Sequence, residues 1–179
     1  VSSLAHHIGD PAVRHRGTIG GSLANNDPSA CWPAAALALG ATIVAEGPDG
    51  RREIAADDFF EGMFATALGE GELIVEVRLP VPSRGSYQKF VQPASRFALV
   101  GVYVAEVGGS VRVAVTGASE GGVFRWTEAE EALASNFSPD AVASLAAPSE
   151  DGMIGDLHAD PAYRAHLVKV MTKRAVAAA

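Results

Sequence analysis

Polar and apolar positions change period several times along the chain, and each change marks a different kind of element. Between Pro33 and Gly40 the run Ala34-Ala35-Ala36-Leu37-Ala38-Leu39 is apolar throughout. An opening proline and a closing glycine make this a short helix buried on all sides, and its alanines let neighbours approach closely. Pro28 offers an alternative start for the same helix. Alternation follows. Ala41 to Glu46 and Arg51 to Ile54, joined by Gly47-Pro48-Asp49-Gly50, predict a hairpin, and Glu72 to Leu79, ending at Pro80, predicts a strand. Tyr87 to Val91, Ala98 to Ala105 and Ser110 to Thr116 alternate again, the last two joined by Gly108-Gly109. Val111, Val113 and Val115 fall on one face of that final strand and Arg112 on the other, which predicts a small antiparallel sheet.

Helical spacing returns at the end of the chain. Asp160 caps and Pro161 opens a helix on which Tyr163, Leu167, Val170 and Met171 form the expected buried face. Shorter helices are expected from Ser2 or Ser3 through Ile8, from a Thr127 cap through Ala134, and from Ser138-Pro139 through Leu145. Asp57-Asp58 precedes Phe59-Phe60 in what reads as a turn with the aromatic pair packed inward. The paired carboxylates there fit a helix cap better than acid–base chemistry. Pro80-Val81-Pro82-Ser83-Arg84-Gly85-Ser86 is the most linker-like stretch, so a boundary is expected with 1–82 on one side and 83–179 on the other. The resulting class is α+β.

At 179 residues the chain can bury a full core. Its 48% apolar and 20% charged residues are ordinary for a globular protein, and a net charge of −7 without a basic run argues against a nucleic-acid partner. No apolar stretch is long enough to span a membrane as a helix. One cysteine, Cys31, excludes an internal disulfide framework and a cysteine-held cluster within this chain, and the expected setting is cytoplasmic. Adjacent His6 and His7 have no ligand partner at helical spacing, so no metal site is expected there. A start at Val1, without methionine, suggests part of a longer polypeptide.

The chemistry concentrates between Val13 and Trp32. Thr18-Ile19-Gly20-Gly21-Ser22 sets two hydroxyls around a glycine pair, and Leu23-Ala24-Asn25-Asn26-Asp27-Pro28 follows with small and amide side chains. Such a stretch reads as a ligand loop, because glycine permits close approach and positive φ, and the hydroxyls add donors for a pyrophosphate or ribose. It lacks the Gly-Lys-Ser/Thr of a phosphate-binding Walker loop and the glycine spacing of a dinucleotide-binding Rossmann turn.

Arg14-His15-Arg16-Gly17-Thr18-Ile19-Gly20-Gly21-Ser22-Leu23-Ala24, with Asp27-Pro28 beyond, resembles the second flavin loop of the FAD-binding medium subunits of molybdenum hydroxylases. That family includes carbon monoxide dehydrogenases and the flavin portion of xanthine dehydrogenases. Met153 to Arg164 resembles the family's closing segment, so the whole chain corresponds to the later part of such a subunit, without its first glycine-pair loop. The resemblance implies the second part of a two-subdomain FAD-binding domain, followed by a C-terminal domain with a small antiparallel sheet packed on helices. It also implies FAD as cofactor, with a molybdenum cofactor in a large partner subunit and 2Fe-2S clusters in a small one. Electrons would pass from those clusters through FAD to an acceptor, and this chain alone would be inactive.

Carried over by position, Thr18, Ile19, Gly20, Gly21 and Ser22 line the cofactor phosphates and flavin, and Ala24 and Asn25 flank the ring or ribose. A backbone group near Ile74 approaches the flavin, and Ile8 either packs near it or belongs to the core. No side chain of the chain is expected to be catalytic. Two positions depart from the family. Cys31 stands where an aspartate often hydrogen-bonds the cofactor, and Val91 stands near the place of a frequent lysine. These departures keep open the reading of an interaction module that has lost its cofactor; a further alternative is a stand-alone FAD-dependent oxidoreductase of related fold, for which no general base stands out.

Overall fold

A computed structural model describes the whole chain, Val1 to Ala179. Four helices come first: α1 (Ser2–His6), α2 (Pro11–Arg16), α3 (Ile19–Asn25) and α4 (Trp32–Leu39). β1 (Thr42–Gly47) and β2 (Gly50–Ala55) form the expected hairpin, and β5 (Leu73–Arg78) pairs antiparallel with β1 on its other side. Between them a single 3-10 turn (Ala56–Asp58) leads into a two-stranded ribbon, β3 (Phe60–Gly62) and β4 (Ala65–Thr66). The remaining chain builds an antiparallel sheet in the order β6 (Arg84–Val91), β7 (Ala98–Val107), β8 (Ser110–Thr116), β9 (Phe124–Arg125). Helices α5 (Thr127–Ser135), α6 (Pro139–Ala143) and α7 (Pro161–Ala177) follow. The class is α+β, with small antiparallel sheets packed on helices.

β7 is the centre of the packing. Every residue from Ala98 to Ala105 is buried, because this strand is covered on both faces. Val100, Val102 and Val104 join Val113 and Val115 against Leu133 of α5 and Leu167, Val168 and Met171 of α7. The opposite face presents Tyr103, Ala105 and Ala114, together with Tyr87 of β6, to the alanine-rich α4. α4 is buried over seven consecutive residues, as its unbroken apolar run predicts. Gly40 ends it in the left-handed conformation with φ 62°. Gly101 permits the approach of β6 to β7, since a methyl group there would lie 2.4 Å from the Tyr87 hydroxyl. Residues 1–82 thus lean on the sheet of residues 83–179 through α4.

Several local expectations are corrected. Gly20 and Gly21 lie within the first turns of α3 rather than in a loop, and neither has positive φ. The reason is capping. Thr18 stands extended before the helix and accepts a hydrogen bond from Gly21 N at 3.0 Å, while Leu23 buries the helix against the core. α2 was unexpected: Asp10 accepts from Ala12 N at 2.7 Å and Pro11 supplies the first helical position. Ser2 and Ser3 sit inside α1 instead of capping it, and Trp126 rather than Thr127 precedes α5. Asp57 does not cap the 3-10 turn but pairs with Arg112 and Arg125. On α7 the buried face includes Arg164, Val168 and Thr172, while Tyr163 is 42% exposed and Val170 only half-buried. The linker-like stretch is shorter than its composition suggests. β6 already begins at Arg84, and Ser83 donates through its N–H and hydroxyl to Glu106 O.

Candidate cofactor cleft

A concavity of about 1090 Å³ is lined by residues of α1, α2 and α3, by Cys31 and Trp32, by Lys89 of β6 and by the 92–97 loop. Its floor is the capped start of α3. The first N–H groups of a helix have no partner within it, so the Thr18-Ile19-Gly20 turn offers donors along this wall. Gly21 is exposed on the cleft, and a methyl group there would lie 2.9 Å from the capping Thr18 hydroxyl. Two hydrogen bonds to backbone carbonyls hold this region in shape: Gly17 N donates to Val13 O at 2.6 Å, and the Arg14 side chain donates from Nη1 to Ile8 O at 2.8 Å.

Across the cleft the 92–97 loop is built around one buried amide. Gln92 Oε1 accepts from Ala94 N at 2.8 Å, from Ser95 N at 2.7 Å and from the Ser95 hydroxyl at 3.1 Å. This folds Arg96 into the left-handed region at φ 64° and sets it directly against Gly9. A methyl group on Gly9 would overlap the Arg96 Cβ at 2.1 Å, so only glycine fits there. Lys89 projects from β6, donating from Nζ to His7 O at 2.8 Å and lying 3.6 Å from Cys31 Sγ. Tyr87 is buried behind this pair. Burial, reinforced by the neighbouring Cys31, pushes its hydroxyl well above the ordinary tyrosine value, and the hydroxyl has no hydrogen-bond partner.

Of the residues expected at the site, Ile8, Thr18, Ile19, Gly21, Ser22, Asn25 and Cys31 line the cleft. Gly20, Ala24, Ile74 and Val91 do not. Gly20 faces β5, where its missing Cβ leaves ordinary contact with the Ile74 side chain at 3.5 Å. Val91 is 45% exposed beyond the cleft. The cation sought near Val91 stands two residues earlier, at Lys89. The period-2 alternation of Tyr87 to Val91 was the available signal for it. Arg96 and Phe97 carried no signal, because nothing local shows that a loop some seventy residues downstream folds over α3. His6 and His7 each spend Nδ1 on a backbone carbonyl one turn back, and no group of three metal-ligating side chains exists.

The charges around the cleft depart from the protein's acidic average. Arg14, Arg16, Lys89 and Arg96 line it against Asp10 and Asp27, and both carboxylates are occupied by backbone N–H groups. The volume lies just above the range of ordinary small-molecule sites, roughly 300–1000 Å³. An excess of positive charge, a close-approach glycine at a helix start, and Trp32 and Phe97 on the walls together fit an anionic dinucleotide with a flat aromatic ring.

Comparison with known proteins agrees. Residues 1–82 match the family described as the FAD binding domain in molybdopterin dehydrogenase. The chain is 35% identical to the nicotine 6-hydroxylase medium subunit of Paenarthrobacter nicotinovorans over 98% of its own length and 65% of that protein. It is 34% identical to the carbon monoxide dehydrogenase medium chain of Hydrogenophaga pseudoflava over 100% of its length and 66% of that chain. Residues 1–82 are an FAD-binding domain of this type, and the whole chain resembles the medium subunits of molybdenum hydroxylases. The fold says the same: a reconstituted CO dehydrogenase from Oligotropha carboxidovorans superposes with a TM-score of 0.83 at 32% identity, covering 97% of this chain and 64% of that one. Quinoline 2-oxidoreductase from Pseudomonas putida 86 superposes with a TM-score of 0.81 at 28% identity, covering 98% and 64%. The chain therefore spans just under two thirds of the length of these relatives. None of its helices is long and apolar enough to cross a membrane.

Proposed function

We propose that this chain holds FAD in the cleft above α3 and serves as the flavin-bearing part of a molybdenum hydroxylase in the cytoplasm. Its partners are a molybdenum-cofactor large subunit and an iron–sulfur small subunit, as in the carbon monoxide dehydrogenase type of assembly. The observation that carries this reading is the convergence of the Thr18–Ser22 helix start with Arg14, Arg16, Lys89 and Arg96 around one dinucleotide-sized cleft. When bound, FAD supplies the electron relay from iron–sulfur clusters to an acceptor. The chain's own residues bind and orient. Thr18, Ile19, Gly21 and Ser22 face the phosphates, with arginine charge beside them. Asn25, Ile8 and Cys31 complete the wall, and Lys89 fixes α1 across the mouth through His7 O. Gly20 packs against Ile74 behind this wall, and Ala24 and Val91 lie outside the cleft. In the same reading, the flavin-binding unit is 1–82 and the C-terminal unit 83–179.

The test is a titration of the chain with FAD, following flavin fluorescence and the visible spectrum. Saturable one-to-one binding is expected, abolished by Gly21→Asp, which places a carboxylate where the cofactor's phosphates must come. Absence of saturation, or binding indifferent to Gly21→Asp, overturns the assignment.

A further inference from the structure

The wall of the cleft opposite Arg14 is the short segment from Asp27 to Cys31, which joins α3 to α4 and has no regular structure of its own. Something outside it must set its shape. Two of its carbonyls turn inward onto one side chain: the Thr116 hydroxyl lies 2.8 Å from Pro28 O and 2.7 Å from Ala30 O. Gly117 N adds a third contact, donating to Pro28 O at 2.7 Å. Thr116 is fully buried at the end of β8, 88 residues away from Pro28 in the chain. With the carbonyls of residues 28 and 30 held from behind, Asp27, Ser29, Ala30 and Cys31 line the cleft and Pro28 does not.

The anchor is itself anchored. Gly117 has φ 81°, and a methyl group on it would lie 2.5 Å from Ala98 O and 2.7 Å from Leu99 O. Its carbonyl and that of Leu99 both accept from Arg164 Nη1 at 2.7 Å, and Arg164 Nη2 pairs with Asp156 at 2.7 Å. Arg164 is 1% exposed, and a cation buried that deeply is tolerated only because carbonyls and a carboxylate surround it. A continuous polar column thus runs from α7 through the ends of β7 and β8 to the cleft wall.

We propose that Thr116 is a positioning residue for the cofactor, and that Arg164 holds Thr116 in register. Resting on the reading of the cleft as the FAD site, this places a determinant of flavin binding in the 83–179 part of the chain, outside the residues that match the FAD-binding family. The hydroxyl shares its one proton between the two carbonyls; a side chain of the same shape without a donor leaves Pro28 O to Gly117 N–H alone and Ala30 O facing a methyl group.

The experiment compares wild type, Thr116→Val, Thr116→Ser and Arg164→Lys in the full chain. Three readouts are used: FAD affinity by flavin fluorescence, thermal midpoint, and amide hydrogen exchange of residues 27–31. Thr116→Val is expected to weaken FAD about tenfold at a temperature well below its midpoint and to speed exchange in 27–31. Thr116→Ser restores affinity to within about threefold, since it keeps the donor. Arg164→Lys, which keeps the charge but loses the fork, shows the same pattern more weakly and carries the test if Thr116→Val does not fold. Equal FAD affinity of wild type and Thr116→Val overturns the inference while leaving the proposed function intact. Serine failing to rescue also overturns it. A wild type that does not bind FAD overturns the proposed function and the inference with it.

Discussion

The two adjacent glycines of α3 should respond in opposite ways to the same small change. In Gly20→Ala the new methyl group meets the Ile74 side chain at 3.5 Å, an ordinary van der Waals distance. Replacing a helical glycine by alanine then stabilises by up to about 1 kcal/mol, and the cleft is untouched. In Gly21→Ala the methyl group lies 2.9 Å from Thr18 Oγ1, too close to coexist with the hydroxyl that caps the helix. The cap is worth about 1 kcal/mol, which cancels the helical gain of about 1 kcal/mol, so the thermal midpoint barely moves. The cost falls on the ligand instead. The methyl group and the displaced hydroxyl occupy the cleft wall where the cofactor's phosphates approach. Loss of one hydrogen bond to a charged group, about 1.5–3 kcal/mol, weakens FAD binding at least about tenfold. Differential scanning fluorimetry and an FAD titration on wild type and both variants measure the two effects separately. If Gly21→Ala binds FAD as tightly as Gly20→Ala, the start of α3 is not where the phosphates lie, and the reasoning fails.

Two further outcomes follow from the charges. Asp57 takes Arg112 and Arg125 from the other part of the chain, and Arg112 is the more buried partner at 16% exposure. Asp57→Asn should lower the urea midpoint by an amount equivalent to about 1 kcal/mol, with the deficit shrinking in high salt; an unchanged midpoint removes this pair as a link between 1–82 and the sheet. Acid should destabilise the fold through carboxylates whose native pKa lies below the unfolded one. The Arg52 hydrogen bond and then the Gly69 N–H hold Glu72 down to about 2. For Asp57, burial pushes up but Arg112 and Arg125 more than offset it; for Asp156, burial is likewise outweighed by the His158 and Ala159 N–H groups and Arg164. Such groups contribute their full stability above the ordinary carboxylate range, about pH 4, and lose it as pH falls through their native values. Circular dichroism from pH 6 to about pH 2 should show stability flat and then falling below about pH 4; a loss centred near pH 6 would point to histidines instead.

Local patterns in the sequence carried much of the architecture. The unbroken apolar runs of α4 and β7, the alternation of β5 and β8, the glycine turns between strands and the Asp160-Pro161 start of α7 are all decided by residues a few positions apart. The Thr18–Ser22 motif also pointed to the candidate cleft, which Thr18, Ile19, Gly21 and Ser22 line. What the motif could not show was its own conformation: a glycine pair after a threonine is equally at home in a loop, and burial of Leu23 on the core is what makes it a helix.

The opposite wall was decided only in three dimensions. Lys89, Arg96 and Phe97 reach the cleft because β6 and β7 fold back over α1, and Gly9 is needed only because Arg96 lands on it. Tyr163 reads from sequence as part of the buried face of α7, yet its neighbour Arg164 is the buried one of the two. Its burial depends on carbonyls of Leu99 and Gly117 that no short-range pattern brings to α7. Helical and strand periods are set by neighbours along the chain, whereas a cleft with two walls, or a buried charge, is set by which distant backbone groups packing brings within hydrogen-bonding reach.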